Sequence, residues 1–212
     1  YVKSMTERVA SQIATSLPSD LVLINTTPPT QASRGKQLRS ITLARKNPAT
    51  PEIVSWSSPT RLDAGETYQM RSFVSVASNK DLQTAGEQYP NFIQDHFLQL
   101  PRSLPDRVRD LAVDLTASLE TSLDKSLAIE RYLRSDVFTY SQAIDRPPPG
   151  IDGVDWFLFD TQTGYSDYFG SAMTVLLRSV GIPARMAVGY APGELDPDSD
   201  IRIIKDSDSH GW

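Results

Sequence analysis

The stretch Gly164–Tyr190, GYSDYFGSAMTVLLRSVGIPARMAVGY, decides how this chain is read. Ala172, Met173, Leu176, Leu177 and Val180 recur at helical spacing and give one face of a helix an apolar stripe. Gly181 supplies the stop, and Pro183 forbids continuation. Met186, Val188 and Tyr190 then alternate with Ala187 and Gly189, as a strand would. Tyr165 and Ser166 fall where a tight turn becomes the helix. A side chain at such a first turn faces unpaired backbone N–H groups and the positive end of the helix dipole. That place stabilises a thiolate and binds a developing oxyanion. Position 166 holds serine, which also has an ordinary use there as an N-cap accepting from the N2 or N3 amide.

Working outward, Asp124–Arg134 reads DKSLAIERYLR and Ile203–Trp212 reads IIKDSDSHGW. With the central stretch, these segments resemble the transglutaminase-like superfamily, and within it the bacterial membrane-anchored, TgpA-type branch. The likeness is most specific over Gly164–Tyr190, extends over Leu98–Trp212, and is weak before Tyr68. It implies an α+β chain: a small antiparallel β module followed by a papain-like core, in which a buried helix carries the nucleophile against an antiparallel sheet.

The resemblance also assigns roles. Ser166 stands where the family has its cysteine nucleophile, and His210 stands at its general base. Tyr165, Ser166 and Trp156 belong to the oxyanion site and cleft, with the amide of Ser166 as oxyanion donor. The implied reaction is acyl transfer from a protein or peptide amide to an amine or to water: cross-linking, deamidation or proteolysis. It needs no cofactor and no metal. The implied setting is extracytoplasmic, on a parent protein anchored in the membrane by segments outside this sequence. The family's orienting Asp lies a strand beyond the histidine, past Trp212. Asp206 and Asp208 precede His210 and read as solvated turn charges.

The serine weakens the chemistry. A hydroxyl is far harder to ionise than a thiol and needs a base poised during attack, whereas a thiolate can be made beforehand. Two readings of Ser166 stand side by side: a Cys-to-Ser replacement in an intact motif, or a native serine in a pseudoenzyme or unusual serine hydrolase. The first keeps the acyl-transfer function, weakened or lost in the sequence as given. The second includes a non-catalytic binding or scaffolding domain of the cell envelope.

Composition excludes other classes. The net charge of −5 argues against a general nucleic-acid binder. Zero Cys and two His leave no thiolate metal site and no disulfide. No apolar run approaches the roughly 20 residues that span a membrane. The acidic run Glu194–Asp200 lacks the order of a calcium loop and reads as a solvated hairpin tip. His96 and Arg185 read as structural or surface residues, and Tyr168 and Phe169 as core.

The expected organisation is a β-rich module over 1–80, a helical connection over 81–150 and the core motif over 151–212. In the module, Leu21–Ile24, Leu38–Leu43, Glu52–Trp56 and Thr67–Val76 read as strands. Met5–Leu17 reads as a short helix from apolar residues four apart, and Pro28–Pro29 marks a loop. Asp81 is expected to cap one helix and Asp124 to start another, with a third from Pro105 burying Leu104, Val108, Leu111, Leu115 and Leu119. Phe138–Tyr140 reads as extended, Pro147–Gly150 as a stiff linker, Asp155–Asp160 as a compact apolar element, and 184–204 as a hairpin.

Overall fold

The computed structural model describes residues 76–199 and 201–211 in full and, of the first 75, the backbone of six strands. Two compact units result: Tyr1–Ala77 with Val188–Ala191, and Ser78–Ala187 with Pro192–Trp212.

The first unit holds strands β1 (Met5–Ile13), β2 (Val22–Leu23), β3 (Pro29–Arg34), β4 (Arg39–Leu43), β5 (Glu52–Ser57) and β6 (Thr67–Ser75). They form two antiparallel sheets in the orders β1-β6-β3 and β2-β5-β4. Two expectations are corrected. Met5–Ile13 is a strand, not a helix, pairing along its whole length with β6. A repeat of four residues is also an even number, so Met5, Val9 and Ile13 satisfy the strand period as well as the helix period. The second correction is at Pro29, which opens strand β3 on a sheet edge; a residue with no N–H to give the ladder is tolerated there.

The second unit opens with α1 (Asn79–Gln83) and α2 (Asn91–Phe97). Ser78, not Asp81, is the N-cap of α1, and Asp81 returns the bond to the Ser78 amide at 2.9 Å. Helix α2 has no side-chain cap and no long repeat, which is why the sequence does not announce it. Next come α3 (Asp106–Thr116) and α4 (Ser122–Leu133). Asp124 lies inside α4, whose N-cap is Thr121. On α3 the buried face is Val108, Ala112 and Thr116, with Leu111 and Leu115 half-buried beside it. The small Ala112 allows close helix packing, and the Thr116 hydroxyl is satisfied by the Ala112 carbonyl at 2.8 Å.

Strand β7 (Thr139–Tyr140) pairs in parallel with β8 (Thr163–Gly164). Between them lie α5 (Gly153–Trp156) and a π-helical turn, Phe157–Thr161, closed by the Gln162 amide on the Phe157 carbonyl at 3.0 Å. Helix α6 (Ser166–Ser179) follows. It ends as the sequence predicts: Gly181 at φ +80, with the Ile182 amide on the Leu177 carbonyl and the Gly181 amide on the Arg178 carbonyl. Ala172, Leu176 and Leu177 of α6 join Val108, Ile129, Leu133, Phe157 and Leu158 in the core. The core therefore sits beneath the middle and last turns of α6.

Strand β9 (Val188–Tyr190) is shorter than the alternation suggested and groups with the first unit. The expected 184–204 hairpin is narrower: β10 (Glu194–Leu195) pairs with β11 (Arg202–Ile203). Gly193, at φ +65, ends the preceding segment, since a Cβ there would lie 2.2 Å from the Ile203 carbonyl oxygen. A 3-10 turn, Asp206–Asp208, then leads into β12 (Ser209–Gly211). Asp200 and Trp212 lie outside the described residues. Among the described residues no helix is long and apolar enough to cross a membrane.

Candidate active site

The site is built at the amino end of α6. Tyr165 is the N-cap and gives no side-chain cap bond. Ser166 is the first helical residue and only 8% exposed. The ordinary use of a serine as N-cap is therefore not its use here. The first intrahelical bonds come from the Tyr168 and Phe169 amides to the Tyr165 carbonyl, leaving the Ser166 and Asp167 amides without an intrahelical partner. The Ser166 hydroxyl donates to the Asp167 carboxylate over a long 3.4 Å.

Two features hold this turn. Gly164 is pressed against it: a Cβ there would lie 2.8 Å from Tyr168 Cβ and 3.1 Å from Phe157 Cε2. On the other side, β12 runs against the start of α6. A Cβ on buried Gly211 would meet Met186 Cε at 2.6 Å, Asp167 Oδ1 at 3.0 Å and the Ser166 carbonyl carbon at 3.7 Å. His210, half-buried, is the preceding residue of that strand. Position 210 therefore lies one residue along the strand from the backbone that approaches the helix start.

A cleft of about 290 Å³ opens beside Ser166, lined by Asp152, Gly153, Val154, Tyr165, Asp167, Tyr168 and Ser171. Tyr165 and Tyr168 meet edge to face with centroids 5.2 Å apart. Trp156 stands behind Tyr168, at 6.2 Å, and does not line the cleft. Burial first, then the Tyr165 phenol, pushes the Tyr168 phenol above its ordinary range; Asp167 adds to this and Arg146 opposes it. Tyr168 thus both packs on the core and walls the cleft.

Residues 109–212 match the family model described as the transglutaminase-like superfamily. This region is a transglutaminase-like domain. It is 46% identical over 123 residues to the uncharacterized protein YebA of Bacillus subtilis, and 36% identical over 115 residues to a protein-glutamine gamma-glutamyltransferase of Pseudomonas aeruginosa. These matches cover 56% and 54% of this chain but only 17% of either relative. The fold is that of the periplasmic domain of TgpA from Pseudomonas aeruginosa, with a TM-score of 0.68 and 23% identity, covering 100% of this chain and 67% of that one. The core is therefore papain-like and the class α+β.

Other candidates fall elsewhere in the transglutaminase-like domain or its surroundings. Asp208 accepts from the Lys205 amide at 2.7 Å and so closes its own turn, while Asp206 is exposed. His96 faces the Phe92 carbonyl at 2.8 Å within α2. The Arg185 guanidinium lies 5.4 Å from the Phe97 ring centroid. In the acidic tip, the Ser199 hydroxyl and then the Asp198 amide hold the Asp196 carboxyl below its ordinary range. Among the described residues no three His, Asp or Glu side chains converge as a metal site.

Two features were not read from the sequence. Asp167 was legible as an acid in the first turn of α6. The cleft wall Asp152–Val154 was not, since only the fold brings it beside Ser166.

Proposed function

We propose that this domain carries out acyl transfer at protein or peptide amides, with residue 166 as nucleophile and His210 as base. One observation carries the reading: a buried Ser166 at the uncapped start of α6, with the strand bearing His210 packed against that start. The nucleophile adds to the carboxamide carbonyl while the imidazole takes its proton. The Ser166 and Asp167 amides then face the oxyanion. The imidazole returns the proton to the departing ammonia or amine, and an incoming amine or water releases the acyl group. The substrate chain lies in the Tyr165–Tyr168 cleft, backed by Trp156. As it stands, Ser166 leaves this machinery weak.

The structural neighbour is a periplasmic domain, which supports an extracytoplasmic setting; a membrane-anchored parent protein is the part of the proposal that rests on the sequence resemblance alone. The test is amine incorporation. Ser166→Cys should attach a fluorescent alkylamine to a glutamine-bearing protein or release ammonia from it, and adding His210→Ala should abolish this. Ser166 itself favours the second reading, a non-catalytic envelope binding domain. Turnover by neither this chain nor Ser166→Cys would overturn the acyl-transfer reading in favour of the binding one.

A further inference from the structure

The molecule holds a second built arrangement, some distance along the chain from Ser166. Asp155 is 6% exposed and is the buried residue of α5. Arg107 of α3 grips it with both arms of the guanidinium, Nε to Oδ1 at 2.5 Å and Nη2 to Oδ2 at 2.6 Å. The same Nη2 reaches Asp160 at 3.1 Å, and the guanidinium carbon lies 4.5 Å from the Phe159 ring centroid. Residues 155, 159 and 160 meet one guanidinium across the junction where α5 runs into the π turn. The bond to Asp155, above all, holds the Arg107 guanidinium well above its ordinary range.

We infer that Arg107 is a positioning residue for the cleft beside Ser166. Asp152, Gly153 and Val154 form one wall of that cleft and lead directly into Asp155. Asp152 also caps α5, accepting from the Val154 and Asp155 amides at 2.9 and 3.1 Å. A single helical turn has too few bonds to hold itself. Its far end runs into the buried Phe157 and Leu158, while the Arg107 fork ties Asp155 to α3; a buried carboxylate left without that partner is strongly unfavourable. Moving the fork therefore moves the wall against which an acyl chain would lie. This inference rests on the reading of the cleft as the substrate's.

The experiment uses the Ser166→Cys protein with two electrophiles. Iodoacetamide needs no cleft; a chloroacetyl-capped aromatic dipeptide does. The ratio of their alkylation rates reads the cleft separately from the thiol. Arg107→Lys keeps the charge but cannot fork, and should cut the dipeptide preference about tenfold, leaving the iodoacetamide rate within about twofold. Val108→Ala, next to Arg107 but in the core, should lower the melting temperature and leave the ratio unchanged. A ratio preserved in Arg107→Lys, or lost equally in Val108→Ala, overturns the inference. A parent with an ordinary thiol but a clear dipeptide preference would sink the proposed chemistry and still test Arg107. A parent with no dipeptide preference would overturn the cleft reading and this inference together.

Discussion

Gly164→Ala adds one methyl group at the tightest point behind the site. The new Cβ would lie 2.8 Å from Tyr168 Cβ, 3.0 Å from Tyr168 Cγ and 3.1 Å from Phe157 Cε2. Ordinary carbon contacts are about 3.5–4.0 Å, so the closest overlap is about 0.7 Å or more. Tyr168 Cβ is fixed to the α6 backbone and no rotamer change can remove it, so the helix start or the β7–β8 pair must shift. Overpacking of this kind costs about 1–3 kcal/mol, or a fall of about 3–10 °C in melting temperature for a domain of this size. Thermal unfolding followed by near-UV circular dichroism reads it through the Tyr165, Trp156 and Tyr168 rings. Gly86→Ala is the control: its φ is +71 and no atom lies within 4 Å, so it meets backbone strain alone. In the Ser166→Cys background, Gly164→Ala should also slow alkylation, because the shifted turn carries position 166 with it. A Gly164→Ala protein that melts within about 1 °C of its parent, with an unchanged near-UV spectrum, would refute the packing argument.

Leu176→Ala removes a fully buried side chain of α6 and should cost about 2–5 kcal/mol, measured by urea denaturation. A loss below about 1 kcal/mol would mean that the helix is not seated in the core as described. At Asp81, the bonds from the Ser78 hydroxyl and amide hold the carboxyl below its ordinary range. The folded value is depressed, so the cap's contribution is complete above the ordinary carboxylate range and disappears as pH falls through the lowered value. NMR titration of Asp81 should find its midpoint below about 3.9, and Ser78→Ala, which removes the hydroxyl but keeps the amide, should move it part of the way back.

Much of this was legible in the sequence, and the limits have physical causes. Helix α6 and its stop at Gly181–Pro183 were plain because an apolar stripe and a positive-φ glycine act locally. Met5–Ile13 was misread because its apolar spacing suits two periods, and pairing with β6 decides between them. Strand β3 hid behind Pro29, whose tolerance depends on an edge position that sequence does not display. The α3 face was placed off centre because small Ala112 and hydroxyl-bearing Thr116 carry little apolar signal. Arg107 and Asp155 could not be paired in advance, since 48 residues separate them and nothing local links a guanidinium to a distant carboxylate. At the site, the motif marked Ser166 and His210, but the capping role open to Ser166 could be set aside only by the backbone of Tyr165.

The most direct measurement is the pH–rate profile of iodoacetamide alkylation in the Ser166→Cys protein, with and without His210→Ala. The account predicts a midpoint well below the free-thiol value of about 8.5, moving upward when the imidazole is removed. A midpoint at or above the free-thiol value, indifferent to His210→Ala, would contradict the claim that positions 166 and 210 work together at the start of α6.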